Sequence, residues 1–368
     1  MCALALGLGA VLTGCRSNNN GQNSLHPAGP AAHKIDNLFA VVFWIAVVIG
    51  VLVIGGTVYL AIRYRHREGK PDNPKQVHGN TPLEIGWTIV PLVILMVVAV
   101  PTVATIFELA KKPTGPNVLN VEVVGKQWWW QFNYPGKQKL VGPKVGNTVV
   151  TSTELHIPVK TPVYLSEESN NVIHSFWVPE LNGKKDVVPG RTNHNTIEAD
   201  HPGTFLGTCA EYCGLAHADM RFRVIAEPMS QFKEWLAGQQ QGPAQPWTGE
   251  VKELTSTKYG CTSCHIFAPT SSDPAANTKA ALNAYAPNLV HLASRSTFAG
   301  GTQKLNHENL IRWITNAPGV VPMESKRCLV PSAPCTGMPS FTKNTPHGFP
   351  KMTPEDANTI VNFLLGEK

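Results

Sequence analysis

Two long apolar runs dominate the first third of the chain. Leu38–Ile62 is continuously apolar and uncharged, and Ile85–Phe107 is a second such run that contains Pro91 and Pro101. Each run exceeds the length of about 20 residues that a helix needs to cross a bilayer. The pattern therefore predicts two membrane-spanning helices, the second kinked at its prolines. Helices buried in a protein core are the alternative.

The charges beside these runs predict their orientation. A basic cluster follows the first run and lies in the connection to the second; its members are Arg63, Arg65, Arg67, Lys70 and Lys75. Because Lys and Arg are enriched in cytoplasmic loops, this connection is predicted to be cytoplasmic. The N-terminus and everything after Lys112 are then predicted to lie outside. The other basic residues are scattered, which argues against nucleic-acid binding despite a formal charge of +6.

The N-terminal segment is typical of an exported lipoprotein. Residues 1–14 contain a short apolar run, and small residues precede Cys15. This arrangement predicts a cleaved signal segment with lipid attached to Cys15. An ordinary signal peptide or an incidental cysteine is the alternative. Residues 15–37 are rich in Asn, Gly and Pro and are predicted to form a linker.

The middle of the chain has the pattern of a β domain. Short alternating runs separated by Gly and Pro occur around residues 119–123, 153–157, 163–165, 195–198 and 221–225. A period of two is typical of strands with one buried face, so residues 113–237 are predicted to form a small antiparallel β-sandwich or barrel. Residues 238–249, rich in Gln, Gly and Pro, predict a second linker.

The C-terminal part returns to helical spacing. Apolar residues of Asn306–Asn316 recur with a helical period, and Thr353 followed by Pro354 predicts the start of a last helix. A chain of 368 residues is too long for one ordinary domain. The prediction is therefore a multidomain protein with a membrane hairpin at 38–112, a β domain and a helical domain at 250–368.

The eight cysteines fall into separate groups, and one group is typical of a metal site. The densest cluster consists of Cys209, Glu211, Cys213, His217 and Met220, with His174 upstream. Thiolates with imidazole and a weak thioether favour copper used for electron transfer, whereas structural zinc prefers four N or S ligands without a thioether. A Cys209–Cys213 disulfide is the alternative, but it leaves His217 and Met220 unexplained. The other histidines in this domain are expected to be surface or loop residues and not ligands: His156, His194 and His201.

A second motif indicates covalent haem. Cys261-Thr-Ser-Cys264-His265 has the C-x-x-C-H spacing, in which two thiols add to the haem vinyl groups and the histidine becomes the proximal ligand. A thioredoxin-like C-x-x-C motif is the alternative. The adjacent His265, the predicted outward location and the lack of a βαβ pattern argue against it.

Together these motifs resemble the cytochrome c oxidase subunit II family. The spacing C-x-E-x-C-x-x-x-H-x-x-M, with a distant His-Ser, is similar to the CuA motif of that family. The resemblance implies a two-copper centre in which Cys209 and Cys213 bridge both ions. It assigns the remaining ligands to His174, His217, Met220 and the backbone carbonyl of Glu211, and it implies that the Glu211 carboxylate binds a magnesium ion at the junction with subunit I.

Three further segments carry the resemblance. Gly125-Lys-Gln-Trp128-Trp-Trp130 resembles the family's aromatic segment, which implies that Trp128 passes electrons into CuA. Core and interface packing is the alternative, and strand alternation would place Trp128 and Trp130 on one face and Trp129 on the other. Glu84 resembles a carboxylate at the mouth of a proton-uptake path, with an interfacial helix cap as the alternative. Asp186 and Arg191 match a loop that the family places against subunit I.

The C-terminal region resembles small cytochromes c. Met338 precedes Pro339, as in their Met-Pro loop, which implies that Met338 is the distal haem ligand; Met323 and Met352 are competitors. Pro287 resembles the proline whose carbonyl accepts a hydrogen bond from the proximal histidine. Cys328 and Cys335 flank an insertion before Met338 and are expected to form a disulfide, with free thiols as the alternative.

The full resemblance is to caa-type oxidases, in which subunit II is fused to cytochrome c. It implies a two-helix hairpin, a cupredoxin-like Greek-key sandwich and an all-α class I cytochrome c domain. It also implies that electrons pass from a periplasmic cytochrome c, or another donor complex, through haem c and CuA to haem a of subunit I. The oxygen-reducing site then lies in another subunit.

The same resemblance implies the location and partners of the chain. It predicts a multi-pass protein of the bacterial cytoplasmic membrane, with both head domains on the periplasmic face, which contacts subunits I and III and membrane lipid. Nitrous oxide reductase would need a second, His-rich copper site, and a quinol oxidase would lack the copper thiols. A membrane-anchored electron carrier leaves Glu84, Glu211 and Asp186 unexplained. A subunit of a CuA-containing nitric oxide reductase stays open, because that difference lies in the partner.

Overall fold

The computed structural model describes residues 21–67, 69, 76, 78–136, 138–140, 147–241, 243, 245–269, 273–323, 337–344 and 348–366. The predicted signal segment, lipid site and Cys328–Cys335 disulfide lie outside the described residues and stay predictions. The chain divides into two compact units. One comprises residues 33–111, and the other comprises residues 1–32 and 112–368.

The two apolar runs form two long helices, as predicted. Helix α1 spans Pro30–Arg63 and helix α2 spans Thr81–Leu109, with mean hydropathy of 3.0 and 2.6 in their most apolar windows. No residue of either window is buried, so both helices present apolar surface all round. Lys34 Nζ lies 2.5 Å from Glu108 Oε1, which places the start of α1 beside the end of α2, as in an antiparallel hairpin.

Helix α1 begins inside the segment predicted to be a linker. Its first residue is Pro30, and proline is favoured there because the amide N–H it lacks would have no partner in the first helical turn. The residues before it lie against the β domain: Ala28 N–H donates to Glu180 O over 2.8 Å, and Leu206 N–H donates to Gly21 O over 2.8 Å. The prediction of a linker over 15–37 is therefore wrong for residues 30–37, which form the first turns of the helix.

The β domain is a two-layer sandwich. Within the described residues its strands are β1 (Leu119–Lys126), β2 (Trp129–Tyr134), β3 (Val149–Ser152), β4 (Glu154–Pro158), β5 (Val163–Ser169), β6 (His174–Trp177), β7 (Lys185–Val187), β8 (Asn193–Ile197), β9 (Gly203–Cys209) and β10 (Arg221–Glu227). One sheet has the order β3-β2-β1-β5-β8, and the other has the order β4-β10-β9-β6-β7. The predicted sandwich is confirmed, and its fold is cupredoxin-like.

The sandwich is mixed, so the prediction of an antiparallel one is wrong in two pairings. Strand β1 pairs parallel with β5, and β10 pairs parallel with β4. The cause is the passage of the chain between sheets, because a strand that enters from the other layer can lie in either direction. Thr153 makes one such passage between β3 and β4, with a positive φ of 72° that turns an extended segment from one sheet into the other.

Aromatic side chains fill the space between the sheets. Trp130 is fully buried, and its ring centroid lies 5.6 Å from that of Phe176 and 5.5 Å from that of Phe222. Edge-to-face packing of this kind adds to the free energy gained from burial. Helix α3 (Met229–Gly238) closes one end of this core with Phe232 and Leu236.

The C-terminal domain is mainly helical. Its longer elements are α4 (Gly249–Glu253), α5 (Pro274–Asn283), α6 (His307–Asn316) and α7 (Pro354–Gly366). The predicted cap is present, since Thr353 accepts a hydrogen bond from Asp356 N at the start of α7. At the start of α6, Asn306 caps the helix in the same way by accepting a hydrogen bond from Asn309 N. A short ladder of β11 (Thr297–Phe298) and β12 (Gln303–Lys304) departs from the expectation of an all-α domain.

Candidate functional site

Two thiols lie at the centre of a ligand cluster at one end of the sandwich. Cys209 is the last residue of β9, and Cys213 lies in the loop that follows it. Their sulfurs are 3.8 Å apart, too far for a disulfide bond of about 2.05 Å. Because a metal–thiolate bond measures about 2.3 Å, two such bonds span this distance, so both sulfurs can bind the same ion. The spacing fits bridging thiolates and argues against the disulfide alternative.

The other predicted ligand atoms lie beside one thiol or the other. His174 Nδ1 is 3.9 Å and Glu211 O is 3.2 Å from Cys209 Sγ. On the opposite side, His217 Nδ1 is 3.7 Å and Met220 Sδ is 3.8 Å from Cys213 Sγ. Each sulfur therefore has one imidazole and one weak donor near it, an arrangement that fits two ions with similar ligand sets.

His174 is held in the orientation that a ligand needs. Its Nε2 lies 3.0 Å from Asn171 Oδ1, an oxygen that can only accept, so the ring proton sits on Nε2 and Nδ1 keeps its lone pair. Gly125 in β1 makes room for the ring, because a Cβ at this position would lie 2.8 Å from His174 Cδ2. The side chain of His174 is fully buried.

The two thiols are coupled through a hydrogen bond. The contact with Cys213 lowers the pKa of Cys209 and raises the pKa of Cys213, because one proton shared between them stabilises the Cys209 thiolate. A bound metal removes both protons, since the thiolate is the metal ligand.

Trp128, which follows strand β1, contacts the ligand cluster. The residue lies in the turn between β1 and β2, so the predicted alternation of Trp128 and Trp130 on one strand face is wrong. Its Nε1–H donates to Cys213 O over 3.1 Å, and Gln127 Nε2 donates to the same oxygen over 2.7 Å. The aromatic ring is thereby hydrogen-bonded to the peptide of Cys213.

The remaining predicted residues occupy varied positions. The Glu211 side chain is half-buried, and Asp186 and Arg191 are exposed near β7. His194 and His201 are exposed, as expected. His156 is buried in β4, against expectation, since Glu227 Oε1 lies 3.0 Å from its Nδ1 and satisfies it.

Glu84 begins α2 as a helix cap. Its Oε1 accepts a hydrogen bond from Asn80 N over 3.1 Å, and Asn80 Oδ1 accepts one from Leu83 N over 3.3 Å. This reciprocal pair resembles a capping box. It matches the alternative interpretation of Glu84 and leaves its predicted proton role to experiment.

A large, mainly apolar cavity occupies the C-terminal domain. All the predicted haem-binding residues line it: Cys261, Cys264, His265, Pro287 and Met338. Gln127, Trp128 and Trp129 of the β domain line the same cavity. The space therefore opens against the turn that carries Trp128.

His265 is oriented for ligation. Its Nδ1 lies 2.8 Å from the carbonyl of Pro287, so Nδ1 carries the proton and Nε2 keeps a free lone pair. Burial lowers the pKa of His265, which favours the neutral ring. The Cys261 and Cys264 thiols are free, and burial raises the pKa of Cys261 to about 12.

A buried cation without a full set of partners also fits haem. Arg295 lines the cavity, and its Nη2 donates to Asn288 O over 2.6 Å, but its buried Nε has no hydrogen-bond partner. Burial lowers the pKa of Arg295 to about 10. Haem carries two carboxylates, and a carboxylate would satisfy this nitrogen.

The three candidate methionines all line the cavity. The Sδ of Met323 accepts a hydrogen bond from Met338 N over 3.1 Å, and Met352 is buried in the domain core. These contacts engage Met323 and Met352 and favour Met338 as the ligand.

The sequence reasoning missed several residues that support these sites. Asn171 and Arg295 are single polar residues without a motif, and only their contacts reveal them. Gly125 had a usable signal, because glycine inside a strand often marks a close approach of another group.

Two family models match the chain. The model of the cytochrome c oxidase subunit II periplasmic domain covers residues 119–227, and the model of the transmembrane domain of the same subunit covers residues 17–105.

Several curated relatives match most of the chain. Cytochrome c oxidase subunit 2 of Alkalihalophilus pseudofirmus is 34% identical over 97% of this chain and 94% of its own length. The Bacillus subtilis protein of the same name is 29% identical over 94% of this chain and 92% of its own length. Quinol oxidase subunit 2 of Bacillus spizizenii is 32% identical over 68% of this chain and 72% of its own length. With a thiol, imidazole and thioether cluster in its periplasmic domain, the chain belongs to the cytochrome c oxidase subunit II family and is a component of a haem–copper oxidoreductase complex.

Proposed function

We propose that this subunit takes electrons from a periplasmic donor into a haem c of its C-terminal domain and delivers them, through a CuA centre, to subunit I for oxygen reduction. When bound, haem and copper would each supply reversible one-electron chemistry. The position of Trp128 carries the proposal. This residue lines the C-terminal cavity and donates a hydrogen bond to the carbonyl of Cys213, so one side chain contacts both sites.

The distances within the cluster support the proposed copper ligands. Cys209 and Cys213 would bridge two ions. His174 and the Glu211 carbonyl lie beside the first sulfur, and His217 and Met220 lie beside the second. A half-buried His217 and an exposed Tyr212 next to it leave this end of the sandwich open to a partner such as subunit I.

The lining of the cavity supports the proposed haem ligands. Cys261 and Cys264 would attach the macrocycle, and His265, oriented by Pro287, would be the proximal ligand. Met338 would be the distal ligand, and Arg295 would bind a haem carboxylate. The residue range 250–368 would then form a class I cytochrome c domain joined to the CuA domain, residues 113–237, by the segment 238–249.

The same function gives roles to residues on the membrane side. Both long helices would cross the bilayer, with the basic connection in the cytoplasm and the head domains in the periplasm. Glu84 would lie at the mouth of a proton-uptake path. The Glu211 carboxylate would bind magnesium at the junction with subunit I. The loop that carries Asp186 and Arg191 would also contact subunit I. Subunit III would be a further partner in the complex. Cys15 would carry lipid.

The Cys213→Ser variant tests this proposal in the complex purified through this chain. We expect the near-infrared absorbance of copper to disappear, because a serine hydroxyl cannot replace a bridging thiolate. Reduced cytochrome c should still reduce the haem, whereas oxygen uptake should stop. Thr204→Ser, an exposed change in β9, the strand that precedes the loop of Cys213, is the control and should retain both signals.

Two outcomes would contradict the proposal. Copper absorbance that survives in Cys213→Ser would remove the ligand assignment. Consumption of nitric oxide without oxygen uptake by the wild-type complex would identify a nitric oxide reductase.

A further inference from the structure

Two buried charged side chains of the β domain bind the C-terminal domain. The first is Lys126 at the end of β1, which is 5% exposed. Its Nζ donates to Ala284 O over 2.8 Å and to Gln131 Oε1 over 2.7 Å. Burial lowers the pKa of Lys126 to about 8, which shows how far the ammonium is removed from water. A buried ammonium is costly unless it is hydrogen-bonded, so these contacts offset the loss of hydration.

The second side chain is Glu154 in β4, which is 3% exposed. Its Oε1 accepts hydrogen bonds from Ser296 N over 2.9 Å and from Thr297 N over 3.2 Å. The hydroxyls of Ser296 and Thr297 donate to the same oxygen over 2.5 and 3.3 Å. Four donors from the C-terminal domain therefore converge on one carboxylate oxygen of the β domain.

The Lys126 and Glu154 contacts lie next to the haem-domain cavity. In each of the two domains, residues adjacent in the chain to these contacts line that cavity. On the β domain, Lys126 precedes Gln127 and Trp128, and Glu154 follows Thr153; these neighbours line the cavity. On the C-terminal domain, Ala284 lies just before the segment of Pro287, and Ser296 follows Arg295. The Lys126 contact therefore binds the segment that leads to Pro287, the partner of His265. The Glu154 contact binds the segment that contains Arg295.

We infer that Lys126 and Glu154 are positioning residues that dock the haem-binding domain in one orientation, with its cavity against Trp128. The inference rests on the proposed haem function and names the groups that set the distance between the two redox sites. The buried ammonium of Lys126 requires hydrogen-bond acceptors, and the buried carboxylate of Glu154 requires donors. Only one orientation of the C-terminal domain satisfies both, so these buried polar groups specify how the two domains dock. Because electron transfer slows steeply with distance, the docked orientation controls the rate.

The alternative to docking is a C-terminal domain that moves freely relative to the β domain, tethered only by residues 238–249. The segment itself contacts the C-terminal domain, since Gln239 Nε2 donates to Ser294 Oγ over 3.2 Å and His291 Nε2 donates to Gln241 O over 3.0 Å. These contacts favour the docked domain.

The test uses Lys126→Met and Glu154→Gln in the complete oxidase complex. We expect electron transfer from reduced haem to copper, followed by rapid-mixing spectroscopy, to slow severalfold, because a domain that loses either contact no longer holds its haem at one fixed distance from the copper. Haem reduction by the external donor and the absorbance of both centres should stay as in the wild type. Lys233→Met and Glu234→Gln, exposed changes on α3, are charge-matched controls and should transfer electrons at the wild-type rate.

Hydrogen exchange supplies a readout that does not depend on the cofactors. The amides of Ser296 and Thr297 both donate to Glu154, so they should exchange faster in Glu154→Gln than in the wild type. Combining Glu154→Gln with Ser296→Ala should cost less than the sum of the two single effects, because both changes weaken hydrogen bonds to the same side-chain oxygen.

The outcomes separate this inference from the proposed function. Wild-type transfer rates and unchanged exchange in both variants would overturn the positioning role and leave the relay intact. Loss of copper absorbance in the variants would indicate a folding role and would also overturn it. A wild-type chain without haem absorbance would remove the proposed function, and the positioning role with it.

Discussion

At the scale of single residues, the copper cluster depends on neighbours that are not themselves ligands. Asn171 holds the proton of His174 on Nε2, and Gly125 leaves the space that the imidazole occupies. The ligand atom is thereby presented before any metal binds, so the site loses little conformational freedom on binding. Such supporting contacts commonly change metal affinity by about 10- to 100-fold when they are removed.

Gly125→Ala should disturb the copper site without touching a ligand. The new Cβ would lie 2.8 Å from His174 Cδ2, so either the ring or β1 must move. We expect the near-infrared copper absorbance to shift and the free energy of unfolding to fall by about 1–3 kcal/mol, as for other overpacked sites. The absorbance spectrum measures the change at the copper site, and the loss of this absorbance on heating measures the change in stability.

Gly203→Ala is the matched control for this change. Gly203 lies in β9, the strand that ends in Cys209, and the nearest atom to a new Cβ is 3.7 Å away. The copper signal should be unchanged. A wild-type spectrum in Gly125→Ala would mean that the space around His174 is not limiting.

At the scale of elements, the start of helix α2 joins a structural role to a proposed one. Glu84 and Asn80 satisfy N–H groups of the first turn that otherwise have no partner. The same carboxylate is the residue that the family resemblance assigns to proton uptake. Glutamine keeps an oxygen that can cap the helix but cannot carry a proton, whereas alanine removes both functions.

Glu84→Gln should therefore lower oxygen consumption and proton uptake of the complex in vesicles, while the amount of assembled complex stays normal. Glu84→Ala should also lower the amount of complex, because loss of a cap costs about 0.5–2 kcal/mol. Glu108→Gln at the other end of α2 is the control and should retain full turnover. Full turnover in Glu84→Gln would mean that Glu84 acts only as a helix cap and not in proton uptake.

Elements also show why the local pattern was informative in some places and not in others. Long apolar runs and N-cap residues act within a few turns of one helix, so α1, α2, α6 and α7 were predicted from the sequence. The run Gln127–Trp130 has no turn signal, so its sequence predicts a continuous strand through Trp128. The chain turns there to reach the Cys213 carbonyl, a contact between residues distant in sequence.

At the scale of the whole molecule, two sites share one connecting side chain. Trp128 touches the cavity of the C-terminal domain and the peptide of Cys213. Lys126 and Glu154 bind the C-terminal domain, and each is next in the chain to a residue that lines the same cavity. Trp128 is thereby expected to carry electrons between the two sites.

Trp128→Phe should slow transfer from haem to copper and leave each centre intact. Phenylalanine keeps an aromatic ring but cannot donate to Cys213 O, so the hydrogen-bonded contact between the ring and that peptide is lost and transfer should slow severalfold. Rapid-mixing spectroscopy of the complex would measure it. Trp235→Phe, on α3, is the control and should transfer at the wild-type rate, whereas equal rates in both variants would contradict the role of Trp128.

Motifs and patterns that are local in the chain predict the chemistry and the order of the domains. Thiol, imidazole and thioether spacing predicts copper, C-x-x-C-H predicts haem, and uninterrupted apolar runs predict long helices, because each depends on residues close together in the chain. Only the tertiary structure decided how His174 is oriented, why Gly125 is needed, and which charged residues bind the two head domains together. Those contacts join residues far apart in sequence: Lys126 meets Ala284, and Glu154 meets Ser296. Their partners are backbone atoms or common polar groups, which leave no motif, so folding alone brings them to the cavity beside Trp128.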